Sequence, residues 1–256
     1  MPFATLPHSN IVVYYDYLSL DSTATALFPT MLLLHGFAGT PESDFEAQIP
    51  LLRPHYNILA PHLYGYGRSS QRSEYVTSYY REDAANMIAL LDALHIKQVK
   101  VLGFSDGATV GLLMAALYPQ RIEALAVLGA QPTINERDVI AIRRWLLEKP
   151  LVEEWQAQLA QLHGEPYWRS LPAMYVKGQE ALVAAGGVIL TEQELVGIQC
   201  PTLIMHGVRD RIVSVEYAHT LHAHIPNSRL LIFDAGHPAH LRCQEEYNAA
   251  ITEFFR

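Results

Sequence analysis

Five residues in the middle of the chain, Gly103-Phe104-Ser105-Asp106-Gly107, have the form G-x-S-x-G. Their surroundings say more than the letters do. The apolar run VKVLG precedes them and the helical pattern DGATVGLLMAALY follows. A sharp strand-to-helix turn can hold a serine strained, with its hydroxyl exposed for attack. Gly103 and Gly107 let strand and helix approach closely on either side, and the helix start adds N–H groups for a developing oxyanion. A purely structural reading makes this a glycine turn capped by a serine. A serine alcohol also needs a base, and histidine titrates in the useful range. Twelve histidines are on offer, so position must choose among them. His237 follows RLLIFDAG, His240 lies three residues on, and His206 ends TLIMHG. The candidate acids are Asp210 in HGVRDRIV and Asp234 near His237.

The elements that must position these residues alternate. Short apolar runs at Ile11–Tyr17, Thr30–Leu34, Asn57–Ala60, Val99–Leu102, Ala124–Leu128, Thr202–His206 and Arg229–Phe233 are separated by longer helical patterns. That alternation predicts α/β architecture, a mostly parallel sheet flanked by helices. Tyr80, Ala84, Met87 and Leu91 recur at helical spacing. Further helices are expected at about Asp106–Tyr118, at about Val215–His224, and from Ala239 to the end. From Gln131 to Gly197 no convincing strand is found, while Val139, Ile142 and Leu146, then Trp155, Leu159 and Leu162, keep helical spacing. Pro150, Pro166 and Pro172 are expected to interrupt these helices, and Gly186-Gly187 to form a flexible joint. So long an insertion reads as a helical cap after the sixth strand, residues 131–197, on a core of 1–130 and 198–256.

At 256 residues the chain can bury one large core. Half of it is hydrophobic and 17% charged, a globular composition. A net charge of -8 repels phosphates and argues against nucleic acid or an anionic membrane as partner. Cys200 and Cys243 form neither a metal spacing nor a disulfide framework, and buried free thiols are expected. MPFATLPHSN lacks a basic start followed by an apolar stretch, and no run approaches the ~18 apolar residues of a membrane span. The expectation is a cytoplasmic protein with a small-molecule substrate and no cofactor or metal, its homo-oligomerisation left open.

Over essentially its whole length the chain resembles the α/β-hydrolase superfamily, through HGFAG, APHLYGYGRS, GFSDGA, HGVRD and AGH. The resemblance implies an acid after a strand between serine and histidine, and a histidine before the last helix. Those positions select Asp210 and His237, leaving Asp234 to support the histidine loop and His240 to a surface or capping role. It also implies an oxyanion hole from the Phe37 and Asp106 backbone N–H groups, with the His35 imidazole holding its loop. One departure is His62, where many relatives carry the aspartate of Asp-x-x-Gly-x-Gly, which puts the usual loop brace in doubt.

A closer likeness, in GFSDGA, LGAQPTINERD, HGEPYW and QCPTLIMHGVRD, is to the biphenyl hydrolase-like, or valacyclovir hydrolase, group. That group hydrolyses α-amino acid esters, with the aspartate after the nucleophile receiving the substrate amine. The resemblance implies that role for Asp106. Helix-dipole compensation is the plainer reading of the same residue. Tyr167 and Trp168 are candidate substrate-binding aromatics, against a plainer role as packed insert core. The implied activity is ester hydrolysis through an acyl-enzyme, with carbon–carbon or lactone cleavage, or a weakly hydrolytic receptor, as rivals.

Overall fold

The computed structural model describes residues 2–7, 9–19 and 28–256. Its centre is an eight-stranded sheet of β1 (Phe3–Thr5), β2 (Val12–Leu18), β3 (Thr30–Leu34), β4 (Asn57–Pro61), β5 (Val99–Phe104), β6 (Ile122–Leu128), β7 (Thr202–Gly207) and β8 (Ser228–Phe233). The spatial order is β1-β2-β4-β3-β5-β6-β7-β8, with β2 antiparallel to both its neighbours and the other pairs parallel. The short edge strand β1 escapes the sequence reading because its three residues, exposed but for a half-buried Ala4, carry no apolar pattern. The central strands β3, β4 and β7 are buried throughout, which is why they read as unbroken apolar runs.

Helices cover both faces. They are α1 (Pro41–Phe45), α2 (Gln48–Leu52), α3 (Tyr79–Ala93) and α4 (Asp106–Leu117) before β6. After it come α5 (Glu136–Leu146), α6 (Glu153–His163), α7 (Tyr167–Ala184), α8 (Glu192–Val196), α9 (Val215–His224), α10 (Ala239–Arg242) and α11 (Gln244–Phe255). One apolar core packs α3, α4 and the insert helices on one face of the sheet, and a second packs α1, α2 and α11 on the other. The expected single C-terminal helix is broken at Cys243 into α10 and α11. Among the described residues, no helix is long and apolar enough to cross a membrane.

The insert after β6 is helical, α5 through α8. Its neck is closed by backbone bonds: Ile134 N–H donates to Gly187 O (2.8 Å), and Ile189 and Leu190 N–H both donate to Pro132 O. Thr133 and Val188 form a β-bridge there. Gly186-Gly187 is therefore a pinned turn where a flexible joint is expected. A Cβ on Gly187 would lie 2.0 Å from the Ile134 carbonyl oxygen. Pro150 and Pro166 fall between helices, but Pro172 sits inside α7. The helix runs on, forgoing the single bond that proline cannot donate.

Candidate active site

The turn between β5 and α4 is as tight as the glycines predict. Ser105 has φ +54° and ψ -121°, a left-handed conformation costly for a residue with a Cβ. Its N–H donates to Leu128 O on β6, and its carbonyl accepts from Thr109 N–H, so the neighbours hold the strain in place. A Cβ on Gly107 would meet the Leu34 oxygen at 2.2 Å, and one on Gly103 the Ala108 Cα at 2.7 Å. Only glycine permits that approach.

From the ends of β7 and β8 come the partners. The Ser105 hydroxyl donates to His237 Nε2 at 2.9 Å, and His237 Nδ1–H donates to Asp210 Oδ2 at 2.6 Å. A carboxylate only accepts, so Asp210 sets the proton on Nδ1 and leaves Nε2 free to take the serine proton. Asp210 Oδ1 accepts the Ile212 and Val213 N–H groups. Burial opposes its ionisation, but hydrogen bonds from His206, His237 and the Val213 N–H outweigh that and hold it far below the usual carboxylate range. Asp234 stands apart, exposed and paired with Arg209 across the two loops.

The loop after β3 lies against Ser105, since a Cβ on Gly36 would come within 3.1 Å of Ser105 Cβ. Phe37 and Asp106, with Ser105 and His237, line one small cavity of about 50 Å³. Among the described residues, neither the Phe37 nor the Asp106 N–H has a backbone acceptor. That leaves two donors for an oxygen bound there. His35 is fully buried, accepts Leu63 N–H at Nε2 and donates from Nδ1 to Gly36 O. Burial presses it down to about 3, so it braces the loop as a neutral ring.

Three further residues hold this loop or the acid, and sequence reasoning did not single them out for that work. Asp44 Oδ2 accepts the Gly36 N–H at 2.9 Å. His163, at the end of α6, joins its Nε2 to Ala38 O and accepts Gly67 N–H at Nδ1. His206, expected as a packed strand end, places Nε2 between Val213 O (3.0 Å) and Asp210 Oδ2 (3.3 Å). Its spacing of four before Asp210 was the one available signal. His62 keeps the loop brace that its departure put in doubt, accepting Arg68 N–H at Nδ1 while Nε2 meets Glu42.

The Asp106 side chain is 7% exposed. Its Oδ1 takes hydroxyl donors from both Tyr80 (2.7 Å) and Tyr175 (2.8 Å). Burial raises its pKa, and the two tyrosines oppose the rise. Tyr167 and Trp168 do not line the cavity. The Tyr167 hydroxyl accepts Arg72 N–H and donates to Gly65 O, while Trp168 is buried with its N–H on Glu165. Ile142, Trp145 and Tyr175 line it from the insert instead. His240 is 1% exposed rather than at the surface, packed on Phe104, and burial lowers its pKa to about 4. Cys200 and Cys243 are free and half-buried.

Residues 29–162 match the alpha/beta hydrolase fold family. The chain is 30% identical over 236 residues to the serine hydrolase BPHL of Mus musculus, covering 88% of this chain and 79% of that protein. It is 25% identical over 249 residues to a 2-hydroxy-6-oxo-2,4-heptadienoate hydrolase of Pseudomonas putida, covering 88% of each. Among solved structures, the 2-hydroxy-6-oxo-6-phenylhexa-2,4-dienoate hydrolase of Rhodococcus superposes with a TM-score of 0.82 at 19% identity, covering 99% of this chain and 98% of that one. With its family match spanning more than half the sequence and an eight-stranded sheet of the same architecture, the chain belongs to the alpha/beta hydrolase fold family.

Proposed function

We propose that this hydrolase is a serine esterase that cleaves small carboxylic esters through an acyl-enzyme. The observation that carries the reading is the unbroken hydrogen-bonded chain Asp210–His237–Ser105 at a strained turn. Ser105 Oγ attacks the ester carbonyl while His237 Nε2 takes its proton, and the carbonyl oxygen becomes an oxyanion facing the Phe37 and Asp106 N–H groups. The ester C–O bond then breaks, and the proton on Nε2 passes to the leaving oxygen. Water repeats the sequence in reverse and frees the acid.

The buried Asp106 carboxylate beside the nucleophile favours an acyl group that carries a cation, and an α-ammonium fits that demand. The name of the BPHL relative supports serine chemistry. A second reading, hydrolysis of a carbon–carbon bond or a lactone by the same three residues, is favoured by the relative named for 2-hydroxy-6-oxo-2,4-heptadienoate.

A panel of amino-acid esters, plain esters, lactones and diketones, assayed on the wild type and Ser105→Ala, tests the proposal. Fast ester turnover with a burst of alcohol, abolished in Ser105→Ala, is expected. An unchanged rate in that variant would overturn the mechanism. Asp106→Ala should lose the preference for amino esters over matched esters without the amine, whereas equal loss on both would assign Asp106 to the turn alone.

A further inference from the structure

The cavity at Ser105 is too small for a whole substrate. Its space of about 50 Å³ holds a short acyl group and little more. Directly outside it lies a cleft of about 500 Å³, and Trp145 and Ile212 belong to the walls of both.

Its chemistry is distinctive. Trp145 stacks on Trp155, with ring centroids 5.3 Å apart and planes 13° from parallel. Trp145 keeps 36% of its surface exposed, and Val152 64%. Arg144, Lys149 and Arg211 also line the cleft, and no acidic side chain does among the described residues. Arg144 reaches Glu148 at 3.7 Å. Lys149 and Arg211 have no ion pair with any described residue. On a chain of net charge -8, Lys149 and Arg211 thus leave two uncompensated cations beside two flat, partly exposed indoles.

We infer that this cleft is the leaving-group subsite, and that it takes a flat aromatic alcohol bearing a carboxylate. The ring lies against the indoles, and Lys149 and Arg211 face its anion. The inference rests on the esterase reading for its direction, acyl group inward and alcohol outward. The substrate is then bipolar, with a cation favoured at Asp106 and an anion at the mouth.

The test uses 4-carboxyphenyl and 4-carbamoylphenyl esters, as acetates and as glycinates, with rates corrected for their alkaline hydrolysis. The carboxylate ester should show a kcat/KM about three- to ten-fold above its carboxamide partner, in keeping with one or two exposed charge contacts. In the Lys149→Gln/Arg211→Gln double variant, or in 0.5 M salt, that ratio should fall towards one. A ratio near one in the wild type, or one unmoved in the double variant, overturns the inference.

A second measurement needs no turnover. Binding of 4-hydroxybenzoate to Ser105→Ala should quench tryptophan fluorescence, weaken in the double variant and weaken again in Trp155→Leu. Binding of this kind without ester turnover would sink the esterase reading and leave the anion site standing. Turnover of both esters at equal rates, with no binding, would do the reverse.

Discussion

His206 Nε2 lies 3.3 Å from Asp210 Oδ2, the same oxygen that Asp210 turns towards His237. One carboxylate oxygen therefore answers to two imidazoles, of which only His237 reaches Ser105. The buried His206 fixes the acid from behind, and its Val213 contact ties that acid to the loop after β7. His206→Phe keeps the packing and deletes the hydrogen bond. Losing a bond to a buried charge costs about 1.5–3 kcal/mol, and if part of it falls on the transition state, kcat drops roughly ten-fold with KM little changed. Steady-state kinetics on one good ester would check this. A collapse of KM with kcat intact would assign His206 to substrate binding instead.

Ser105 carries strain that the proposed chemistry needs and the fold does not. A glycine adopts φ +54° without the clash of a Cβ. Ser105→Gly is therefore expected to be inactive and more stable than Ser105→Ala by about 1 kcal/mol, roughly 2–4 °C in Tm for a chain of this size. Calorimetry on the two variants decides it, and equal melting points would mean that the turn is unstrained.

Asp44 supplies a pH signature. Burial raises its carboxyl to about 6, against hydrogen bonds from Gly36 and Ser43 that favour the anion. A carboxyl raised in the folded state holds a proton that the unfolded chain gives up near 4. Its contribution to stability is complete below about pH 4 and is lost as pH rises towards 6. Asp44→Asn removes the buried charge, so its stability relative to wild type should rise between pH 4 and pH 7, by about 2–3 kcal/mol. Urea unfolding of both proteins at the two pH values measures the difference. A constant difference would show that Asp44 does not titrate in this window. Because the anion accepts the Gly36 N–H in the loop proposed to hold the oxyanion, kcat of Asp44→Asn should also fall, by about three- to ten-fold.

The pair Arg72–Asp83 concerns stability. Both are nearly fully buried, and one guanidinium nitrogen meets both carboxylate oxygens, at 2.6 and 2.7 Å. Tyr64, Tyr75 and Tyr79 surround the guanidinium. Arg72→Met strands a buried carboxyl and should cost about 3–5 kcal/mol, whereas Arg72→Met with Asp83→Leu should recover most of it. Chemical denaturation of the single and double variants tests this, and additive losses would contradict it.

The strand alternation, the G-x-S-x-G turn and the order of Ser105, Asp210 and His237 were legible because each depends on local pattern or chain order. Their meeting within 2.6–2.9 Å follows from β5, β7 and β8 ending at one edge of the sheet. What stayed hidden depends on contacts between distant residues. Tyr80 and Tyr175, 95 positions apart, donate to the same oxygen of Asp106. His163 reaches Ala38 across 125 positions. Tyr167 and Trp168 stayed open between two roles for the related reason that an aromatic at helical spacing serves a cavity or a core equally well, and the helix rotation decides which. Here α7 turns Tyr175 to the cavity and leaves Tyr167 on the Gly65 loop.

The closed neck of the insert has a consequence for how such a protein changes over time. Chain enters and leaves the insert at a single latched point, residues 132–134 against 187–190. On either side of the latch, β6 and β7 are direct neighbours, paired in parallel. The helical segment carries Trp145, Trp155 and Tyr175 together, and it is tied to the core through His163 on Ala38 and Tyr175 on Asp106. Ser105, Asp210 and His237 all sit outside it. Exchanging that segment would therefore change the cavity wall and cost the His163 and Tyr175 ties to the rest of the chain at the same stroke.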